Sequence, residues 1–394
     1  MALDKPMTHI DCFAGPGGIC TGLAAAGFET KLAIEYIKSC CDTYSANHPT
    51  VKVIHSDIRN VGINDIASYI PQGGIDLVTS GMPCETFSTA GNTSRSFYDD
   101  RQFLFREGIR IAKISNAKMI LFENVPAITS KTVSKNDKLL IVDMLKQELV
   151  EAGYSNYIEV VLDATKYGVP QRRNRFFILA TRFLNWNLSA PSPTCKKAIT
   201  VGEAICDLPN VEPNSNIDAS GYNQTDSSYS LLMKNSLFWK RTNFASGLTL
   251  QTAMKHRPST LKRFSLLKEG EGLKDLFERF SPKEREELQK ERVLPKKVFI
   301  KRNVRLKLSE PSSTVTSHCL DEFVHPIYNR ALTVRECARL QSFPDTYYFH
   351  GPFLVPHLDR TTQDKYEQIG DAVPPLLAYA WGCKIIEIFK ENDR

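Results

Sequence analysis

A cysteine, a glutamate and a cluster of arginines stand where they could act together in one reaction. Cys84 follows Met82-Pro83 in the run Ser80-Gly81-Met82-Pro83-Cys84-Glu85-Thr86-Phe87-Ser88, directly after the apolar stretch 75–79. Glu123-Asn124 closes the apolar stretch 119–122, and Gln171-Arg172-Arg173-Asn174-Arg175 precedes a third at 176–180. A thiolate adds readily to an electron-poor ring when a protonatable acid neutralises the charge that develops. A free thiol has a pKa of about 8.5, so only a few per cent is ionised at neutral pH. Cationic neighbours raise that fraction. Each residue also has an ordinary reading. A lone cysteine is most often buried and inert, a glutamate at a strand end often caps the next helix, and arginines before a strand usually line a solvated edge.

The elements that would position these groups are legible as a pattern. Five apolar runs in the first 125 residues end in chemistry-bearing residues: 9–13 before Ala14-Gly15-Pro16-Gly17-Gly18, 31–34 before Glu35, 51–54 near Asp57, 75–79 near Cys84, and 119–122 before Glu123. Between the first two, Ile19, Leu23 and Ala26 share one helical face, and Gly27 suits a C-cap. Strands alternating with helices predict a doubly wound, mostly parallel α/β sheet. Ligands bind beyond the carboxyl ends of such strands. The glycine loop suits a ligand approaching backbone amides. Glu35, twenty residues after Gly15, has the spacing of an acid that hydrogen-bonds ribose hydroxyls. Cys20 stands where a third glycine would be, which disfavours a dinucleotide and leaves a smaller nucleoside cofactor.

In order along nearly the whole chain, these residues resemble the DNA (cytosine-carbon-5) methyltransferases. Asp11-Cys12-Phe13-Ala14-Gly15-Pro16-Gly17-Gly18 is similar to their first cofactor motif, Gly81-Met82-Pro83-Cys84 to their nucleophile loop, and Phe122-Glu123-Asn124-Val125 to their Glu-Asn-Val motif. Residues 169–177, 330–345 and 368–382 resemble their Gln-Arg-x-x-Arg, penultimate and closing motifs, and 186–310 matches nothing, as in the family's variable target-recognition region. The resemblance implies a Rossmann-like S-adenosylmethionine-dependent fold with a smaller target-recognition domain: residues 1–185 plus 366–394 would be catalytic, and 186–365 would read DNA.

It also implies roles. Phe13, Ala14, Gly15, Gly17, Gly18 and Tyr36 would bind S-adenosylmethionine, with Glu35 on its ribose and Asp57 and Ile58 on its adenine. Pro83, Leu104, Asp371 and Ala372 would complete that pocket. Cys84 would attack carbon 6 of a flipped cytosine while Glu123 protonates ring nitrogen 3. Arg173 and Arg175 would hold base and phosphate, and Asn124 and Ser88 would order the substrate. Transfer would yield S-adenosylhomocysteine without any metal. The chain would act as a monomer on duplex DNA in the bacterial cytoplasm or nucleoid, paired in function with a restriction endonuclease. Two positions depart from the family pattern: Glu85 stands for the usual glutamine, and Asp371 for the usual asparagine.

Bulk properties agree. At 394 residues the chain can hold a large domain and a smaller one. No apolar run approaches the roughly 20 residues of a membrane span, and no secretory signal opens the sequence. Ten cysteines without a Cys-x-x-Cys pair indicate a reducing compartment and no zinc signature. Net charge is +6, but residues 234–307 carry 20 Lys and Arg against 8 Asp and Glu. That block alone is +12 and the remainder −6. Arg257, Arg263, Arg302 and Arg305, with Lys262, are its candidate phosphate contacts, whereas the mixed charges of 281–292 suit a solvated helix. A tRNA cytosine methyltransferase is the nearest rival, but its Cys-Phe-Thr element is missing from the variable region.

Overall fold

Unbroken apolar runs, typical of strands covered on both faces, form the middle of a seven-stranded sheet. Its strands are β1 (Met7–Cys12), β2 (Phe28–Glu35), β3 (Lys52–His55), β4 (Leu77–Ser80), β5 (Met119–Asn124), β6 (Asn156–Asp163) and β7 (Asn174–Thr181), in the order β3-β2-β1-β4-β5-β7-β6. All neighbours pair parallel except β7, which is antiparallel to both β5 and β6. The computed structural model describes residues 5–83, 100–134, 138–215, 218–242, 247–355 and 361–392, so Cys84, Glu85 and Ser88 lie outside the described residues.

The chain leaves β1 in one direction for β2 and β3 and returns on the other side for β4 and β5. Such a reversal opens a crevice at the carboxyl ends of the strands. The helix Gly18–Ala26 runs from the end of β1 and is capped by Gly27. The final helix, Pro375–Asn392, packs on it so closely that a Cβ at Gly22 would lie 2.2 Å from the carbonyl oxygen of Pro375. With the preceding helix it forms a stretch apolar enough to cross a membrane, yet 72% of its most apolar window is buried inside the protein.

One large core joins Leu23, Leu77 and Phe177 to Trp186, Trp239, Leu332 and Trp381, so burial continues across residue 186. A separate small core contains Phe264, Leu267, Leu273, Leu276, Leu294 and Val324. Beside it lies a parallel pair of two-residue strands, β8 (Val304–Arg305) and β9 (Phe323–Val324). The helix Pro282–Lys290 starts with a Ser281–Glu284 capping box and buries none of its residues, the solvated face its charges imply.

Candidate active site

A cavity of about 430 Å³ opens where β1 to β5 end. Three residues in its glycine loop have positive φ: Phe13 at 56°, Gly15 at 54° and Gly17 at 94°. The loop closes with the Gly17 amide donating to the Ala14 carbonyl at 3.0 Å. Glu35, at the end of β2, takes the Gly15 amide on Oε2 at 2.7 Å, and the Tyr36 and Ile37 amides on Oε1 at 2.8 and 2.7 Å. Burial still pushes its carboxyl above the usual range, because those bonds only partly replace lost hydration. Opposite, Asp57 accepts from the Arg59 amide and guanidinium, and this arginine holds its carboxyl below the usual range. Arg110, on the helix Phe105–Ile114, donates to the carbonyls of Ile58 and Val61, both at 2.7 Å, and so pins that turn from behind.

The catalytic end lies on the same cavity. Glu123 ends β5, and Arg175, near the start of antiparallel β7, donates from Nε to its Oε1 at 2.8 Å. Burial raises the Glu123 carboxyl above its ordinary range, and Arg175 and Arg173 oppose that shift. Both Glu123 and Arg175 line the cavity with Pro83, the residue before Cys84.

Residues 7–387 match the family model of the C-5 cytosine-specific DNA methylases. The chain is 35% identical over 393 residues to the type II methyltransferase M.DdeI of Desulfomicrobium norvegicum, covering 98% of this chain and 89% of that one. It is 30% identical over 375 residues to M1.HphI of Haemophilus parahaemolyticus, with 95% and 85% covered. Its fold is similar to a DNA modification methyltransferase encoded in an E. coli prophage, with a TM-score of 0.73, 23% identity, and 98% and 99% of the two chains covered. This chain is a C-5 cytosine-specific DNA methylase.

A methylase of this family implies S-adenosylmethionine, and the cavity fits it. Carboxylates of Glu35, Asp57 and Asp371 stand around an apolar wall that includes Phe13, Ile58 and Leu104, suited to an adenosine and an ammonium group. Ala14, Gly15, Gly18, Tyr36, Pro83 and Ala372 also line it. Gly17 does not. It faces the other way, where a Cβ would lie 2.7 Å from the Tyr347 hydroxyl, so its role is in the turn.

Other expectations need correction. Arg173 is almost completely buried and donates to the carbonyls of Val315 at 2.8 Å, Gly370 at 2.8 Å and Ala372 at 3.1 Å. It braces the cavity wall instead of holding a base. Gln341 reinforces the same wall through the carbonyls of Ile369 and Ala372. Asn124, expected to help order the site, is buried with Nδ2 3.4 Å from the Met82 carbonyl and Oδ1 accepting the Val125 amide, at the root of the nucleophile loop. Arg305 is buried with its guanidinium on carbonyls of Phe264, Leu267, His325 and Tyr328. Arg263 donates to Val293, Arg292 and Asn303, whereas Arg302 and Lys262 remain exposed, in surface ion pairs with Asp321 at 3.2 Å and Glu291 at 2.6 Å. Of the proposed phosphate contacts, Arg257 alone, exposed at a helix N-cap, has no side-chain partner among the described residues. Lining residues that sequence reasoning missed include Arg59, Arg101, Gln363 and Val373. Val373 was readable inside the closing motif, whereas Gln363 lies in an unmatched stretch.

Proposed function

We propose that this methylase modifies one cytosine within a short, specific duplex sequence as the protective half of a restriction-modification system. The observation that carries the chemistry is the Glu123–Arg175 pair, which opens on the cavity bordered by the glycine loop and Pro83. The bonds to carbon 6 and carbon 5 of cytosine must form perpendicular to the ring, on faces that stacking covers in a duplex, so the target base must be flipped out. The Cys84 thiolate then bonds to carbon 6. Glu123, whose raised pKa favours the protonated form, gives a proton to ring nitrogen 3 and prevents charge from building there. Arg175 keeps that carboxyl oriented toward the base. The cofactor, when bound, supplies an electrophilic methyl group to the nucleophilic carbon 5 of the enamine. Loss of the carbon-5 proton to solvent, expulsion of the thiolate and return of the nitrogen-3 proton to Glu123 then restore the aromatic ring.

Glu35 would receive the ribose hydroxyls, since Oε2 carries only one amide bond and has a lone pair to offer. Asp57 and Ile58 would hold the adenine, and Asp371, which accepts from Gln363 Nε2 at 2.8 Å, would take the ammonium group. Sequence reading falls to residues 186–365, centred on the part that has its own small core. Exposed Lys255, Arg257, Lys296 and Lys297 would meet phosphates there. The chain would work as a monomer beside the chromosome in the cytoplasm. Supporting the modification role, both M.DdeI and M1.HphI are type II methyltransferases.

The test is base-resolution mapping of 5-methylcytosine in DNA from a methylation-free host expressing this chain. Methylation of one short sequence, absent in a Cys84→Ala control, is the expected result. Unmethylated DNA with folded protein that binds S-adenosylmethionine would overturn the DNA assignment and redirect it to RNA.

A further inference from the structure

The glycine loop is held from behind by a residue outside the cofactor motifs. Tyr347 is fully buried, and its hydroxyl donates to the carbonyl of Pro16, a cavity-lining residue. The same hydroxyl lies 3.3 Å from His48 Nε2, and it fills the space where a side chain at Gly17 would stand. Two neighbouring carbonyls of this turn are bonded locally: Ala14 to the Gly17 amide, and Gly17 to Thr21. The Pro16 carbonyl is instead reached from the far end of the sequence. Phe13, at φ 56°, holds a left-handed conformation that a non-glycine residue keeps only when the surroundings fix it.

Tyr347 is itself fixed by the variable segment. The Arg241 guanidinium carbon lies 5.0 Å from the Tyr347 ring centroid. Arg241 also donates to Thr346 Oγ1 at 2.7 Å, to Asn47 Oδ1 at 2.8 Å and to the Asn47 carbonyl at 3.0 Å. It therefore ties three parts of the chain together: the variable segment, the Thr346-Tyr347 stretch and the helix Lys38–Asn47. Phe343 and Phe349 pack on the tyrosine ring at centroid distances of 4.7 and 5.3 Å. A buried tyrosine is ordinarily core filling. What distinguishes this one is that its polar end reaches the cofactor loop.

We infer that Tyr347 is a positioning residue for the S-adenosylmethionine loop, and that Arg241 couples the variable segment to that loop through it. The inference rests on the cofactor assignment made above. Without the hydroxyl the loop relaxes when empty, and the ligand must restore its shape on binding.

Calorimetric titration of S-adenosylmethionine into the DNA-free protein tests this. Tyr347→Phe keeps the ring and removes one hydrogen bond, so its dissociation constant is expected to rise about five- to tenfold. KM for the cofactor should follow, with kcat at saturating cofactor within about twofold of wild type. Arg241→Lys should weaken binding less, and the double variant should be no worse than Tyr347→Phe alone, as coupled residues behave. Tyr229→Phe is the control, since that buried hydroxyl also bonds a backbone carbonyl, that of Arg339, but Tyr229 does not line the cavity. It should lower the melting temperature and leave cofactor affinity unchanged. Tyr347→Phe binding within twofold of wild type, or equal weakening in Tyr229→Phe, would overturn the inference alone. No cofactor binding by the wild-type chain would overturn the cofactor assignment and this inference with it.

Discussion

The cavity and the basic segment differ in where their charged groups end up. Around the cavity, the carboxylates that the motifs single out, Glu35, Asp57, Glu123 and Asp371, all reach the lining. In residues 234–307, by contrast, much of the excess positive charge is already engaged. Arg305 serves backbone carbonyls, Arg279 pairs with Glu271, and Lys307 with Glu310. The cause is local architecture: the Arg305 guanidinium satisfies carbonyls at the end of the helix Pro258–Leu266 and in the turn after β9. Net charge therefore overstates the DNA footprint. A guanidinium buried against backbone carbonyls, as that of Arg305 is, does not face a phosphate.

The contrast can be broken most severely at the cavity. Cys84→Ala should abolish methyl transfer while leaving the S-adenosylmethionine dissociation constant within a few-fold. Near-normal turnover in a single-turnover assay would remove the thiolate from the mechanism. Glu123→Gln keeps the shape beside Arg175 but cannot supply the proton, so kcat should fall roughly 10²- to 10⁴-fold. A drop of less than threefold would mean that another group protonates the ring.

How far the sequence could be read follows the same division. The helix Gly18–Ala26, the five strands up to Glu123 and the closing helix were legible because each depends on its own apolar run and cap. β6 was not. It is an edge strand in which Leu162 alone is buried among half-buried and exposed residues, so no long apolar run marks it. Cys84 and Ser88 lie outside the described residues, so their expected roles rest on the sequence and the family. The destination of Arg173 was illegible for a physical reason: its carbonyl partners lie 142 to 199 positions away. A motif fixes that an arginine is present, but only the fold decides whether its donors face a substrate or brace a wall.

The basic segment sharpens the comparison at intermediate effect. Replacing Lys255, Arg257, Lys296 or Lys297 singly by alanine should weaken DNA binding several-fold. Each true phosphate contact removed should also lower the salt-dependence slope by about 1. Arg305→Met should act differently, lowering the melting temperature because buried carbonyls lose their donor, while the slope in protein that remains folded stays unchanged. Fluorescence anisotropy with labelled duplex across a salt series separates the two. If Arg305→Met lowered the slope as much as Arg257→Ala does, engagement within the fold would not be what decides which charges meet DNA.

The smallest effect concerns a charge on the cavity side that folding disfavours. Asp11 lies in β1 at the base of the glycine loop, fully buried, accepting from Thr79 Oγ1 at 2.7 Å and from the Tyr44 hydroxyl at 3.3 Å. Burial pushes its carboxyl up to about 7. A raised folded-state pKa means that the native state holds its proton more tightly than the unfolded chain does. Its contribution is complete below the unfolded value of about 4 and is lost as pH rises through about 7. His9, bonded to the same Thr79, is pushed down to about 3 by burial and acts in the opposite sense, losing stability as pH falls below about 6.5. Asp11→Asn retains an acceptor for Thr79 but has no proton to lose. Its melting temperature relative to wild type should therefore rise by a few degrees between pH 5 and pH 8, while the decline on the acid side, set by His9, persists. Parallel melting profiles for the two proteins across that range would mean that Asp11 is ionised in the folded chain throughout, and that the site's electrostatics extend deeper into the sheet than its lining.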